Sequence, residues 1–250
     1  MRRDRLYLST MDENAASLAR REGLGLELTA FAYAPNLEDA ARLAAAQSQL
    51  SGLSRAWLHA PFAELFPCAV DPMAREVAMH RYRQTLAVAD RLGIRRLVVH
   101  AGYLPYVYFP EWFVAQSVEF WRELLRELPQ DVCIALENVL EPSAELLVEI
   151  VRQVADPRLG LCLDVGHANT EISRVPPVEW IEPMAPWLLH FHLHNNFGGS
   201  DLHKPLGEGT IPMAALLETA QRLCPNASFT VETQNCAASL AWLREIGELS

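Results

Sequence analysis

The feature that most constrains this chain is a rhythm. Short apolar runs, each tending to close on a polar or ionisable residue, alternate with stretches whose apolar side chains recur at i, i+3 and i+4. The runs at 6–9, 25–28, 55–59, 96–100, 132–137, 159–164, 188–193 and 228–232 read as strands. The stretches at 13–21, 37–49, 72–92, 110–128, 142–154, 177–185, 212–223 and 237–248 read as helices. Several of these open on proline, which suits a first helical turn because its missing N–H has no partner there anyway. Eight strand–helix units over 250 residues predict an α/β fold, a single (β/α)8 barrel, as one domain spanning 1–250. A doubly wound open sheet has the same periodicity.

Half of the residues are hydrophobic and 21% are charged, enough apolar material for one large core. With 31 acidic against 21 basic side chains the net charge is -10, a field that repels polyanions and disfavours nucleic acid as a partner. The five cysteines are scattered and never form C-x-x-C, so they read as reduced thiols rather than as a disulfide framework or a thiolate zinc site. The basic N-terminus is followed by only a short apolar run before Asp12 and Glu13, with no signal-peptide core. No run approaches the roughly 18 apolar residues of a membrane span, and a soluble, cytoplasmic protein is expected. The longest irregular segments, 101–109 and 195–210, are of a length that is more often functional than idle.

The residues that close the strands carry the chemistry. His59, His100, Glu137, Asp164, His192 and Glu232 end or nearly end six successive runs. In a parallel barrel all six face one mouth, the face that carries active sites. A lone histidine after an apolar run is ordinarily a hydrogen-bonded structural residue; six ionisable groups in series point to a metal site. His167 lies three residues past Asp164, and the i, i+2 spacing of Asp201 and His203 lets both reach one ion. Imidazole with carboxylate suits a divalent ion such as zinc, manganese, iron or cobalt, with zinc or manganese foremost, and the donors suffice for one to three ions.

Phe62, Phe66, Tyr103 and Trp112 lie in or near the loops after His59 and His100. Such rings wall a sugar pocket, stack on a flipped base, or simply pack against helices. Glu27, at the end of the second run, reads as a partner in a salt bridge inside the barrel, and Lys204 as a solvated lysine.

His59-Ala60-Pro61, His100-Ala101-Gly102, Glu137-Asn138, the run Asp164-Val165-Gly166-His167-Ala168-Asn169, His192-Leu193-His194-Asn195, and Asp201-Leu202-His203 followed by Gly207-Glu208-Gly209 resemble, in order, the xylose isomerase-like barrel superfamily. That superfamily includes sugar isomerases and epimerases and endonuclease IV-type enzymes (AP endonuclease family 2). The resemblance to single-metal epimerases implies Glu137, Asp164, His192 and Glu232 as the ligand set. The resemblance to endonuclease IV-type members implies three zinc ions: one held by His59 and His100 and bridged by Glu137, one by Asp164, His192 and Glu232, and one by His167, Asp201 and His203. His190, His192 and His194 alternate along one strand; His192 matches the ligand motif, and His194 and Asn195 read as substrate contacts. Exposed helices of such barrels often pair, which implies a homo-oligomer.

Two reactions follow from the same residues. In an isomerase or epimerase, an ion binds neighbouring oxygens of a keto sugar while Glu137 and Glu232 exchange protons with the adjacent carbon and His167 orients a hydroxyl. In a phosphodiesterase, clustered zinc ions activate water and neutralise phosphate. Charge favours the first, because neither 60–72 nor 101–109 contains a lysine or arginine. A barrel that binds metal without catalysis is a third class, disfavoured because every carboxylate needed for proton transfer is present. A small carbohydrate is therefore the expected substrate.

Overall fold

Side chains on parallel strands that are covered by helices are buried on both faces, and this chain distributes them accordingly. The computed structural model, which describes residues 1–249, contains β1 (Leu6–Ser9), β2 (Gly25–Leu28), β3 (Ala56–His59), β4 (Arg96–His100), β5 (Cys133–Glu137), β6 (Leu159–Asp164), β7 (Leu188–Leu193) and β8 (Ser228–Val231). All neighbours pair in parallel, and β1 pairs with β8, so the sheet closes into a barrel and the open-sheet alternative falls. Outward residues such as Leu8, Leu26, Leu58, Leu136, Phe191 and Phe229 join the helices in one large apolar cluster. Inside, Tyr7, Trp57, Val98, Ala135 and Cys162 form a separate small cluster.

The surrounding helices are α1 (Ala15–Glu22), α2 (Ala40–Leu50), α3 (Pro72–Leu92), α4 (Pro110–Glu127), α5 (Glu145–Val154), α6 (Ile181–Met184), α7 (Met213–Leu223) and α8 (Cys236–Glu245). The sixth is a single turn between two 3-10 segments, where the sequence reads a helix over 177–185. Pro183 and Pro186 explain the difference, since each lacks an N–H and crowds the preceding turn. The fifth begins at Glu145 rather than at Pro142, and β8 stops one residue short of Glu232. Between β6 and β7 the register shifts by one residue, with Leu161 opposite Leu188 but Cys162 opposite His190. No helix among the described residues is long and apolar enough to cross a membrane.

Candidate metal centre

The inward positions at or just past the C-terminal ends of β3 to β8, with His167, Asp201 and His203 from the loops after β6 and β7, bring all nine predicted donors into one cluster. Glu137 is at its centre and is almost fully buried. Its Oε2 lies 3.2 Å from His59 Nε2 and 3.4 Å from His100 Nε2, while its Oε1 lies 3.2 Å from His192 Nδ1. His192 Nδ1 also faces Glu232 at 3.0 Å and Asp164 at 3.7 Å. On the far side, Asp201 Oδ2 is 3.3 Å from His167 Nε2 and 2.8 Å from His203 Nε2. His59, His100 and Glu137 place one donor atom each within 4.8 Å of one another, and so do His167, Asp201 and His203.

The loop that carries Asp201 and His203 is held back against the barrel. Asn195 and Lys204 pair through both backbone hydrogen bonds, at 2.9 and 2.8 Å. His203 adopts a left-handed φ of 45°, a conformation that costs a non-glycine residue about 1–2 kcal/mol and recurs at functional sites. Its Nδ1–H donates to the Glu232 carbonyl at 3.0 Å, which leaves Nε2 for Asp201.

Beneath the donors the barrel interior is polar. Glu27, fully buried, accepts from His192 Nε2 at 2.9 Å, from His190 Nε2 at 3.1 Å and from the Thr230 hydroxyl. His190 is further fixed by Ser228 at 2.6 Å and by stacking on Trp57 at 4.3 Å. Because Glu27 accepts from Nε2, His192 turns Nδ1 to the carboxylates of the cluster, the arrangement in which a carboxylate orients a metal-binding imidazole. Glu27 thus pairs inside the barrel as its position implies, with histidines as partners.

The charges are mutually dependent. Burial would push the Glu137 and Asp164 carboxyls up, but the surrounding histidines hold both well below the usual carboxylate range. His167 and His192 are raised well above an ordinary histidine: burial opposes their charge, and the neighbouring carboxylates override it. His203 rises to about 9, its burial outweighed chiefly by Asp201. His100 goes the other way, down to about 3, because burial dominates and its 3.4 Å approach to Glu137 gives too weak an offset. A neutral His100 is in the form that ligates. Imidazoles and ionised carboxylates converging in three sets fit a divalent ion.

A cavity of about 450 Å³ opens above the cluster, lined by Met11, Thr29, Ala32, His59, Phe62, His100, Glu137, Val139, His167, Asp201, His203 and Glu232. Phe62 stacks on His100 at 4.3 Å and forms part of the wall, as does His167. The other expected substrate contacts lie elsewhere. Tyr103 is buried against Phe113 at 5.0 Å, and Trp112 donates its Nε1–H to the Cys68 carbonyl. Asn195 is buried and ties its loop to Leu206 and Ile211. His194 lies behind Asp164, fully buried.

Sequence reasoning assigned no role to Asn138. Its Nδ2–H donates to the Asp164 carbonyl at 3.0 Å, its Oδ1 accepts from the Asp164 N–H at 2.8 Å, and its own carbonyl accepts from His167 Nδ1 at 2.8 Å. The signal was its place directly after Glu137, where β5 and its ladder have ended but β6 runs on to Asp164.

The chain is similar to several known proteins. The chain is 29% identical over 188 residues to the uncharacterized protein MJ1311 of Methanocaldococcus jannaschii, a match covering 71% of this chain and 64% of that protein. The structure of the TTHB071 protein of Thermus thermophilus, soaked with zinc chloride, is 28% identical with a TM-score of 0.75, covering 97% of this chain and 98% of that one. A D-tagatose 3-epimerase-like protein shares the fold at a TM-score of 0.80 and 20% identity, covering 98% and 96% of the two chains. The model of one family matches residues 18–246, nearly the whole barrel and every donor in it. The chain belongs to the xylose isomerase-like TIM barrel family.

Proposed function

We propose that this protein is a metal-dependent isomerase or epimerase of a small sugar or sugar phosphate. The observation that carries the reading is a cavity floored by two carboxylates, Glu137 and Glu232, on either side of His192 Nδ1, with no lysine or arginine in its wall. Glu137, Asp164, His192 and Glu232 would hold one divalent ion, zinc or manganese, which would polarise neighbouring oxygens of the substrate. One glutamate removes the proton from the carbon beside the carbonyl, and the other returns a proton to that carbon or its neighbour. His167 is placed at the wall to orient a hydroxyl, and Phe62 offers an apolar face to the sugar ring.

A second reading has its own support in Glu137. One of its oxygens faces His59 and His100 and the other faces His192, so a single carboxylate joins two donor sets, and His167, Asp201 and His203 make a third. Three ions so arranged would suit phosphodiester hydrolysis, the reaction that the resemblance to endonuclease IV-type enzymes implies. A net charge of -10 and a cavity wall without lysine or arginine argue against duplex DNA as that substrate.

The test is metal content per chain, followed by incubation with keto sugars in deuterated water and with small phosphodiesters. Isomerase chemistry predicts solvent deuterium in the product, one essential ion lost in Glu137→Ala and retained in His203→Ala, and a rate loss of about 10²–10⁴ in Glu137→Ala. Two or three zinc ions, one of them lost in His203→Ala, together with phosphodiester cleavage and no deuterium uptake, would replace the first reading with the second.

A further inference from the structure

His194, directly after β7, is fully buried. Its Nε2 lies 3.0 Å from both oxygens of Asp164, a fork that an N–H donor satisfies and a lone pair does not. The opposite nitrogen, Nδ1, is buried with no hydrogen-bond partner. It faces Asp201 Oδ1 at 3.6 Å, and the ring stacks on His203 with centroids 4.0 Å apart.

No protonation state of the ring answers this. With Nε2 protonated, a bare lone pair confronts a carboxylate oxygen. With Nδ1 protonated as well, its N–H is stranded at a distance too long for a hydrogen bond. A cation between the two atoms turns the confrontation into coordination. The distance fits, since two donors about 2.1 Å from a tetrahedral zinc stand roughly 3.4 Å apart. In addition, one ring nitrogen of His194, one of His203 and a Glu232 oxygen lie within 4.8 Å of one another. The ring has little freedom to turn away: a Cβ on Gly166 would meet its Cε1 at 1.8 Å, so only glycine leaves room for it there.

We propose that His194 is a metal ligand through Nδ1, sharing with Asp201 and His203 the ion on the loop side of the site. This rests on the second reading, in which the site takes three ions, and adds a donor to its third set. It also gives Asp164 a second task, since its carboxylate, by taking the His194 Nε2 proton, frees Nδ1 to ligate.

Zinc is titrated into metal-stripped wild type, His194→Ala, His194→Asn and His203→Ala, with bound zinc counted after gel filtration. Histidine nitrogen resonances of the wild type are followed during the titration. The inference expects His194→Ala and His203→Ala to lose the same ion, with affinity for it down at least about 100-fold, since loss of an orienting residue alone costs 10–100-fold. It also expects the wild-type His194 Nδ1 resonance to move as that ion binds. The resonance is read without any substitution, so a misfolded variant does not decide the matter. Loss of the ion in His203→Ala with full retention in both His194 variants and an unmoved Nδ1 overturns the assignment of His194 alone. Retention in His203→Ala as well would remove the third ion and, with it, both the multinuclear reading and this inference.

Discussion

Glu141 follows β5 by four residues and is 2% exposed. Its Oε2 accepts the Val139 N–H at 2.7 Å, while Oε1 has no hydrogen-bond partner. Burial raises its pKa to about 7, against the partial support of that backbone amide. A carboxyl raised in the fold keeps its proton longer than the unfolded chain does. It therefore favours the folded state fully below the ordinary value of 4.5, and that contribution is lost as pH rises to about 7. Glu141→Gln keeps an acceptor for Val139 and removes the charge. Thermal melts at pH 5 and pH 8 should show the variant more stable than wild type at pH 8 and nearly equal at pH 5; an unchanged difference would refute the account. Nothing in the sequence singled out Glu141, because its burial comes from loop packing that no local pattern encodes. His59, His100, Glu137, Asp164, His192 and Glu232 were legible for the opposite reason: strand periodicity alone puts a strand-end residue at the mouth. The partnership of Glu27 with His190 spans 163 residues and appears only once the barrel closes.

At the scale of elements, the junction of β5 and β6 is the part of the site held by a side chain rather than by the ladder. Asn138 supplies both hydrogen bonds to the Asp164 backbone where the strands have ceased to pair. Asn138→Ala would leave a buried N–H and C=O unpaired, at about 1–3 kcal/mol each at most. The expected result is a lower midpoint in urea together with weaker zinc binding, because the Asp164 backbone loses its anchor while the Asn138 carbonyl still accepts from His167. A variant with a lowered midpoint and unchanged zinc affinity would make Asn138 purely structural. Seven of the eight helices were readable from apolar spacing to within a few residues at their ends. The sixth was not, because Pro183 inside it and Pro186 just beyond it outweigh the spacing.

At the scale of the molecule, surface ion pairs such as Arg83 with Glu127 are exposed, and contribute about 0–1 kcal/mol each. Ions held only by the folded barrel contribute more, about 4 kcal/mol at a thousandfold excess over Kd. A chelator should therefore lower the melting temperature by several degrees and zinc should restore it, whereas 0.5 M sodium chloride should change it little. A melting temperature indifferent to chelator and zinc would deny the fold a resident ion. The donors are also divided unequally along the chain. His59 and His100 come from β3 and β4, and the other donors all follow from Glu137 onward. A chain whose second half has folded while the first is still open would own the His167 and His192 ends of the centre but not the His59 end. Were ions to fill the centre, the site that needs His59 and His100 would fill only after the barrel closes, and its occupancy during refolding would time that closure.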